Sequence, residues 1–196
     1  MTTDLAPTDL RSSDLVWLEH HIAGSEHPAR LVVLHADAER QTRTVLVEFP
    51  PGWKRDAVGH QPAGEEMVIL HGVLSMSGVT AAVGDYLVVE QRATRSATSV
   101  TDGTRALIWF SGPGGGWTDG PAADAGTVTG GPLTAGVQRG VHPELVGTVT
   151  VHDELVEQDF ATDVDVVWTA DQQWLHVPAG TPVPARPGQA VVRHWG

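Results

Sequence analysis

Residues 52–72 read G-W-K-R-D-A-V-G-H-Q-P-A-G-E-E-M-V-I-L-H-G, and the punctuation of this stretch decides the fold. It opens from Pro50-Pro51-Gly52, a turn signal, because proline presets φ and glycine accepts φ > 0. Outward from it, short apolar runs broken by Gly, Pro and Asp give strand candidates at 31–35, 44–49, 66–71, 73–77, 86–89 and 105–110. Little 3.6-residue periodicity competes with them. Residues 111–131 form a Gly/Pro-rich break with the composition of a flexible connection or long loop. Further strands are expected at 144–152, 165–169, 173–177 and 189–195, so the chain reads as all-β.

The same stretch resembles the first motif of the cupin superfamily, G-x5-H-x-H-x3-4-E-x6-G. Anchored on Gly52, the two histidine places fall on Val58 and His60, the glutamate place on Glu65 and the closing glycine on Gly72. The second motif, G-x5-P-x-G-x2-H-x3-N, is anchored on Gly84 in G-D-Y-L-V-V. Its proline, glycine, histidine and asparagine places are held by Glu90, Arg92, Arg95 and Ser99. The frame survives while most ligand residues have changed. The segment before the first motif also resembles the cupin branch found in anti-sigma-factor sensor domains.

The resemblance implies a double-stranded antiparallel β-barrel, jelly-roll-like, over residues 15–112. Residues 1–14 are expected to be frayed and residues 113–131 to act as a connection. Residues 132–196 are expected to form a C-terminal β extension or a degenerate second cupin half. There W-L-H-V-P-A-G-T-P-V keeps the P-x-G-x2-H spacing at Pro178, Gly180 and Val183, without its histidine.

Composition narrows the function. The net charge of −12 argues against nucleic acid and against an anionic membrane surface, both of which are bound through clustered Lys and Arg. With no cysteine, disulfides, thiolate metal sites and cysteine nucleophiles are excluded. The N-terminus has no apolar segment behind a basic start, and no run reaches the ~18 apolar residues of a bilayer span. A cytoplasmic protein is the expectation. Lys54 is the only lysine among twelve basic residues.

The family's metal site uses three histidines and a carboxylate, and this chain keeps at most His60 and Glu65. Val58 offers no lone pair. Arg95 cannot coordinate a metal, because a guanidinium has only donors and stays protonated. No metal or other cofactor is therefore expected. His60, Glu65 and Arg95 are instead the candidate catalytic residues: His60 as acid–base group, Arg95 as a positive centre for a carboxylate or enolate, Glu65 orienting one of them. An internal Glu65–Arg95 ion pair explains the same substitutions without catalysis.

Glu66 should point to the face opposite Glu65 and is expected to be solvated or held in a strand-end hydrogen bond. His20 and His21 are expected at the surface; His35, His176 and His194 are read as structural. Trp53, Trp109, Trp168 and Trp174 are candidates for lining an apolar pocket or filling the core. The first functional reading is a small-molecule-binding cupin acting as a metal-independent enzyme of secondary metabolism, by cyclisation, isomerisation or elimination. The alternatives are a metal-dependent cupin oxygenase or isomerase and a non-catalytic ligand-sensing cupin. The expected partners are a small organic molecule and, as the family implies, a second copy in a homodimer.

Overall fold

A computed structural model of the chain describes residues 5–101 and 103–196. Every regular element among them is a strand, and none is a helix that could cross a membrane. The chain divides into two compact units. One comprises Val16–Pro132; the other combines the chain up to Leu15 with Leu133–Gly196.

The first unit is built on a seven-stranded antiparallel sheet. Its strands, in spatial order, are Val128–Pro132, Asp85–Val89, Gly64–His71, Arg105–Ser111, Thr42–Glu48, Ala29–Asp37 and Leu18–His20. A second sheet runs Lys54–Arg55, Thr98–Val100, Val73–Met76, Val79–Ala82. Alternation places one set of side chains on the inner face. In register, Glu65 faces Phe110, Met67 faces Ile108, and Ile108 faces Val45. Val45, Val47, Met67, Ile69, Leu87 and Ile108 from the large sheet join Leu74 and Met76 from the small one in a single apolar cluster. Gly64–Leu70 is buried at every position, which explains the unbroken apolar run from Met67 to Leu70.

The motif glycines survive for a backbone reason. Gly52, Gly72 and Gly84 have φ of 70°, 74° and 90°, where a Cβ is strained. A Cβ on Gly72 would also come within 2.4 Å of Thr104 Oγ1. Arg92, at the place of a motif glycine, keeps a φ of 57°, so the turn has outlived the residue that makes it easy.

Two expected boundaries move. The stretch 113–131 is not merely a connection: Thr118–Asp119 pairs with Gly59–His60, and Val128–Pro132 pairs with Asp85–Val89 along its whole length. The added strand covers what would otherwise be a sheet edge. Its composition, V-T-G-G-P, hides it, but Gly130 is needed because a Cβ there would meet Val79 at 2.9 Å. The N-terminal stretch also pairs: Thr8–Asp9 lies against Trp174 and Gln173, and Leu10 N–H donates to the Gln172 carbonyl at 2.9 Å. The frayed reading of residues 1–4 lies outside the described residues.

The second unit holds a six-stranded antiparallel sheet in the order Thr8–Asp9, Gln173–Val177, Val164–Trp168, Ala190–His194, Thr148–His152, Gly136–Arg139. Val164, Val166, Trp168, Leu175, Val177 and Val192 form its own core. Asp165 is fully buried and accepts a hydrogen bond from His176 Nδ1 at 2.8 Å.

Candidate active site in the barrel

A cavity of about 610 Å³ opens inside the first unit. The large sheet supplies Leu31, Val45, Val47, Met67, Ile108 and Phe110 to its wall, and the small sheet supplies Leu74 and Met76. Phe49 and Trp53 continue the apolar lining, with their rings 4.7 Å apart and tilted. Size and lining match those of organic-ligand pockets.

The polar residues gather around Glu65. Its Oε1 accepts from Arg95 Nη2 at 2.8 Å and from Gln61 Nε2 at 2.6 Å. Arg95 is completely buried and also donates to the carbonyls of Ala93 at 3.0 Å and Ala63 at 3.3 Å. Arg55 lines the cavity, donates through Nη2 to Thr98 Oγ1 at 3.3 Å and lies 4.6 Å over the Trp117 ring. Arg43 lies 4.0 Å over Phe110 and reaches the Gly112 carbonyl at 3.4 Å. Burial pushes the Arg55 guanidinium down to about 10; the Glu65 charge offsets part of this and the nearby Arg95 cation adds to it. Arg43 is lowered by burial as well, again with partial compensation from Glu65. Both stay cationic at neutral pH, at a site already short of negative charge.

The structure joins two of the three expected residues and separates the third. Glu65 and Arg95 form a buried ion pair. His60 does not line the cavity; its Nδ1 donates to the Gly120 carbonyl at 2.9 Å. The reason is a register of one residue. From Trp53 to Gly59 burial alternates: Trp53, Arg55 and Gly59 are buried, while Lys54, Asp56 and Val58 are exposed, Val58 by 45%. Gly59 bridges Arg95 through bonds of 3.1 and 2.8 Å, and directly opposed residues project to one face. Arg95 therefore shares the Gly59 side, and Val58 and His60 project from the other. Glycine is required at 59, since a Cβ would come within 2.3 Å of the Trp117 ring.

The metal motif fails here in geometry as well as in identity. Val58 and His60 face away from Glu65, whose carboxylate is held by a guanidinium and an amide. Among the described residues, no group of three His, Cys, Asp or Glu side chains is placed to share a metal ion. At the position the motif resemblance assigns to a metal, the donor set does not fit one.

Other expectations divide. Trp53 lines the cavity; Trp109 is buried but does not. Glu66 is fully buried, not solvated, and accepts a hydrogen bond from the Tyr86 hydroxyl on the face away from the cavity. His20 and His21 are exposed as expected, yet both line the cavity. His71 is exposed and bonds the Gly103 carbonyl at 2.9 Å. Arg43, Arg55, Gln61 and Trp117 went unread. Counting alternate positions from Trp53 finds Arg55 and Gln61, whereas Arg43 and Trp117 come from elements that no motif marks.

No family model matches this chain, and no curated protein does. Solved structures do. A candidate dioxygenase from Nostoc punctiforme superposes with a TM-score of 0.69 at 11% identity, covering 92% of this chain and 79% of that one. Vicilin from Capsicum annuum gives a TM-score of 0.52 at 10% identity, over 90% of this chain and 83% of the other. A Pseudomonas syringae protein of unknown function gives 0.51 at 15% identity, over 96% and 95%. With two antiparallel sheets enclosing a cavity, these likenesses establish a cupin fold. At such identities they speak for fold alone.

Proposed function

We propose that this chain is a small-molecule-binding cupin that works without a metal ion. The observation that carries this reading is the cavity: an apolar chamber whose polar end is a buried Glu65–Arg95 pair flanked by Arg43 and Arg55. A guanidinium cluster in an enclosed site stabilises charge that develops on an oxygen, such as an enolate or a departing carboxylate, more strongly than water does. Isomerisation, cyclisation and elimination of an oxygenated substrate all develop such charge. In this reading Arg55 and Arg43 face the substrate oxygen, Arg95 fixes Glu65 from behind, and the apolar walls set substrate shape. His60 has no part in it.

A second reading, a ligand-sensing cupin without catalysis, is favoured by one detail. Glu65 accepts from both Arg95 and Gln61 on the same oxygen, a good arrangement for an anchored carboxylate and a poor one for a proton shuttle.

A thermal-shift screen with a broad panel of apolar oxygenated compounds tests the shared core of both readings. Hits should stabilise the wild type and not Leu31→Trp, whose larger side chain narrows the cavity. Equal stabilisation of both proteins would place binding elsewhere. Turnover of a hit then separates enzyme from sensor.

A further inference from the structure

The charge count at the cavity's polar end defines the chemical class of what it holds. Among the described residues, three guanidiniums, those of Arg43, Arg55 and Arg95, gather around a single carboxylate, Glu65. Arg95 takes that carboxylate in a direct ion pair. Arg43 and Arg55 feel Glu65 only through space, and their direct partners are neutral: two aromatic faces, one carbonyl and one hydroxyl. The chain as a whole carries a net charge of −12, so this cationic excess runs against its overall composition.

Arg55 adds a second, independent observation. The residue is 4% exposed, and its Nε is shut off from solvent with no hydrogen-bond acceptor among the described residues. A buried N–H without an acceptor costs free energy comparable to a lost hydrogen bond. Arginine's fork of N–H groups matches the two oxygens of a carboxylate.

We infer that the ligand of this cavity is an organic monoanion, a carboxylate or an enolate with an apolar and preferably aromatic body, whose charged oxygens are taken by Arg55. This deepens the proposed function and rests on the cavity being the ligand site. The apolar body is held by Phe49, Trp53, Met67 and Ile108. Trp117, which also lines the cavity, holds the guanidinium in place through its ring face. A cationic ligand meets two guanidiniums that Glu65 compensates only in part, and is disfavoured. A neutral one can offer the Arg55 Nε an acceptor but brings no charge to balance the guanidiniums.

Isothermal titration calorimetry on the full chain decides this with three probes of one shape: 2-naphthoate, 2-naphthamide and 2-naphthylmethylammonium. Naphthoate should bind at least about tenfold tighter than naphthamide, the size of effect a charge-assisted hydrogen bond gives, with the ammonium weakest. In Arg55→Gln the naphthoate preference should collapse to less than about threefold. If wild-type protein binds naphthamide as tightly as naphthoate, the anion assignment is overturned while the cavity reading stands. If none of the three binds, the cavity reading falls and takes the assignment with it. The wild-type comparison is decisive even if Arg55→Gln does not fold.

Discussion

Replacing Glu65 with glutamine removes the one carboxylate that the described residues bring to a cluster of three guanidiniums, and the cost can be worked from the contacts. Arg95 has no exposure, so its charge cannot be rescued by water. Losing one partner of a buried ion pair costs about 3–5 kcal/mol. Arg95 keeps its bonds to Ala93 and Ala63, which places Glu65→Gln near the lower end, at about 3 kcal/mol. The reciprocal change, Arg95→Met, should cost less. It leaves Glu65 with the Gln61 amide and with two cations nearby, for about 1–2 kcal/mol. With a urea m-value of about 2 kcal/mol/M, Glu65→Gln lowers the midpoint by about 1.5 M. Urea titration read by pulsed hydrogen exchange reports the strand Gly64–His71 separately from the second unit. A Glu65→Gln cost below about 1 kcal/mol, or an Arg95→Met cost above that of Glu65→Gln, would refute the picture of a cation-rich site balanced by one carboxylate.

Two further outcomes are expected. His60→Ala should leave ligand affinity within about twofold of wild type while raising hydrogen exchange in Thr118–Asp119, because it removes only the bond to Gly120; a tenfold loss of affinity would return His60 to the site. His194 is held below the ordinary imidazole value by burial first, then by the fields of His152 and Arg193. The unfolded chain therefore takes up a proton at His194 that the folded one resists, and this contribution to stability falls as pH drops below the usual histidine range near 6.5. Nuclear magnetic resonance titration of the His194 ring should give a midpoint below that range, and His194→Gln should flatten the slope of stability against pH there.

The frame of this fold was legible because it is written in residues whose backbone needs are unusual. Gly52, Gly72 and Gly84 sit at positive φ, and their spacing carried the cupin reading even after the metal ligands were gone. Glu65 and Arg95 could be paired from that frame alone. The face of the 53–61 segment could not be read. Strand alternation has a period of two, so a slip of one residue exchanges the whole set of inward side chains. The histidine frame put Val58 and His60 inside; the close packing of Trp117 on Gly59 puts the odd-numbered residues there instead. Trp117 itself lay in a segment whose Gly/Pro content reads as a loop, and its ring contact depends on Arg55, sixty-two positions earlier. Such long-range pairing leaves no local trace in sequence.

The most direct test of the central claim, that a buried ion pair stands where a metal would and leaves the cavity to an organic ligand, is one crystal structure. It should be grown with excess Zn²⁺ and the tightest organic ligand, with anomalous data collected at the zinc edge. The expected map shows the Glu65–Arg95 pair intact, organic density between Arg55 and Met67, and no anomalous peak within bonding distance of Glu65. A zinc ion ligated by Glu65, with Arg95 displaced, would contradict the account.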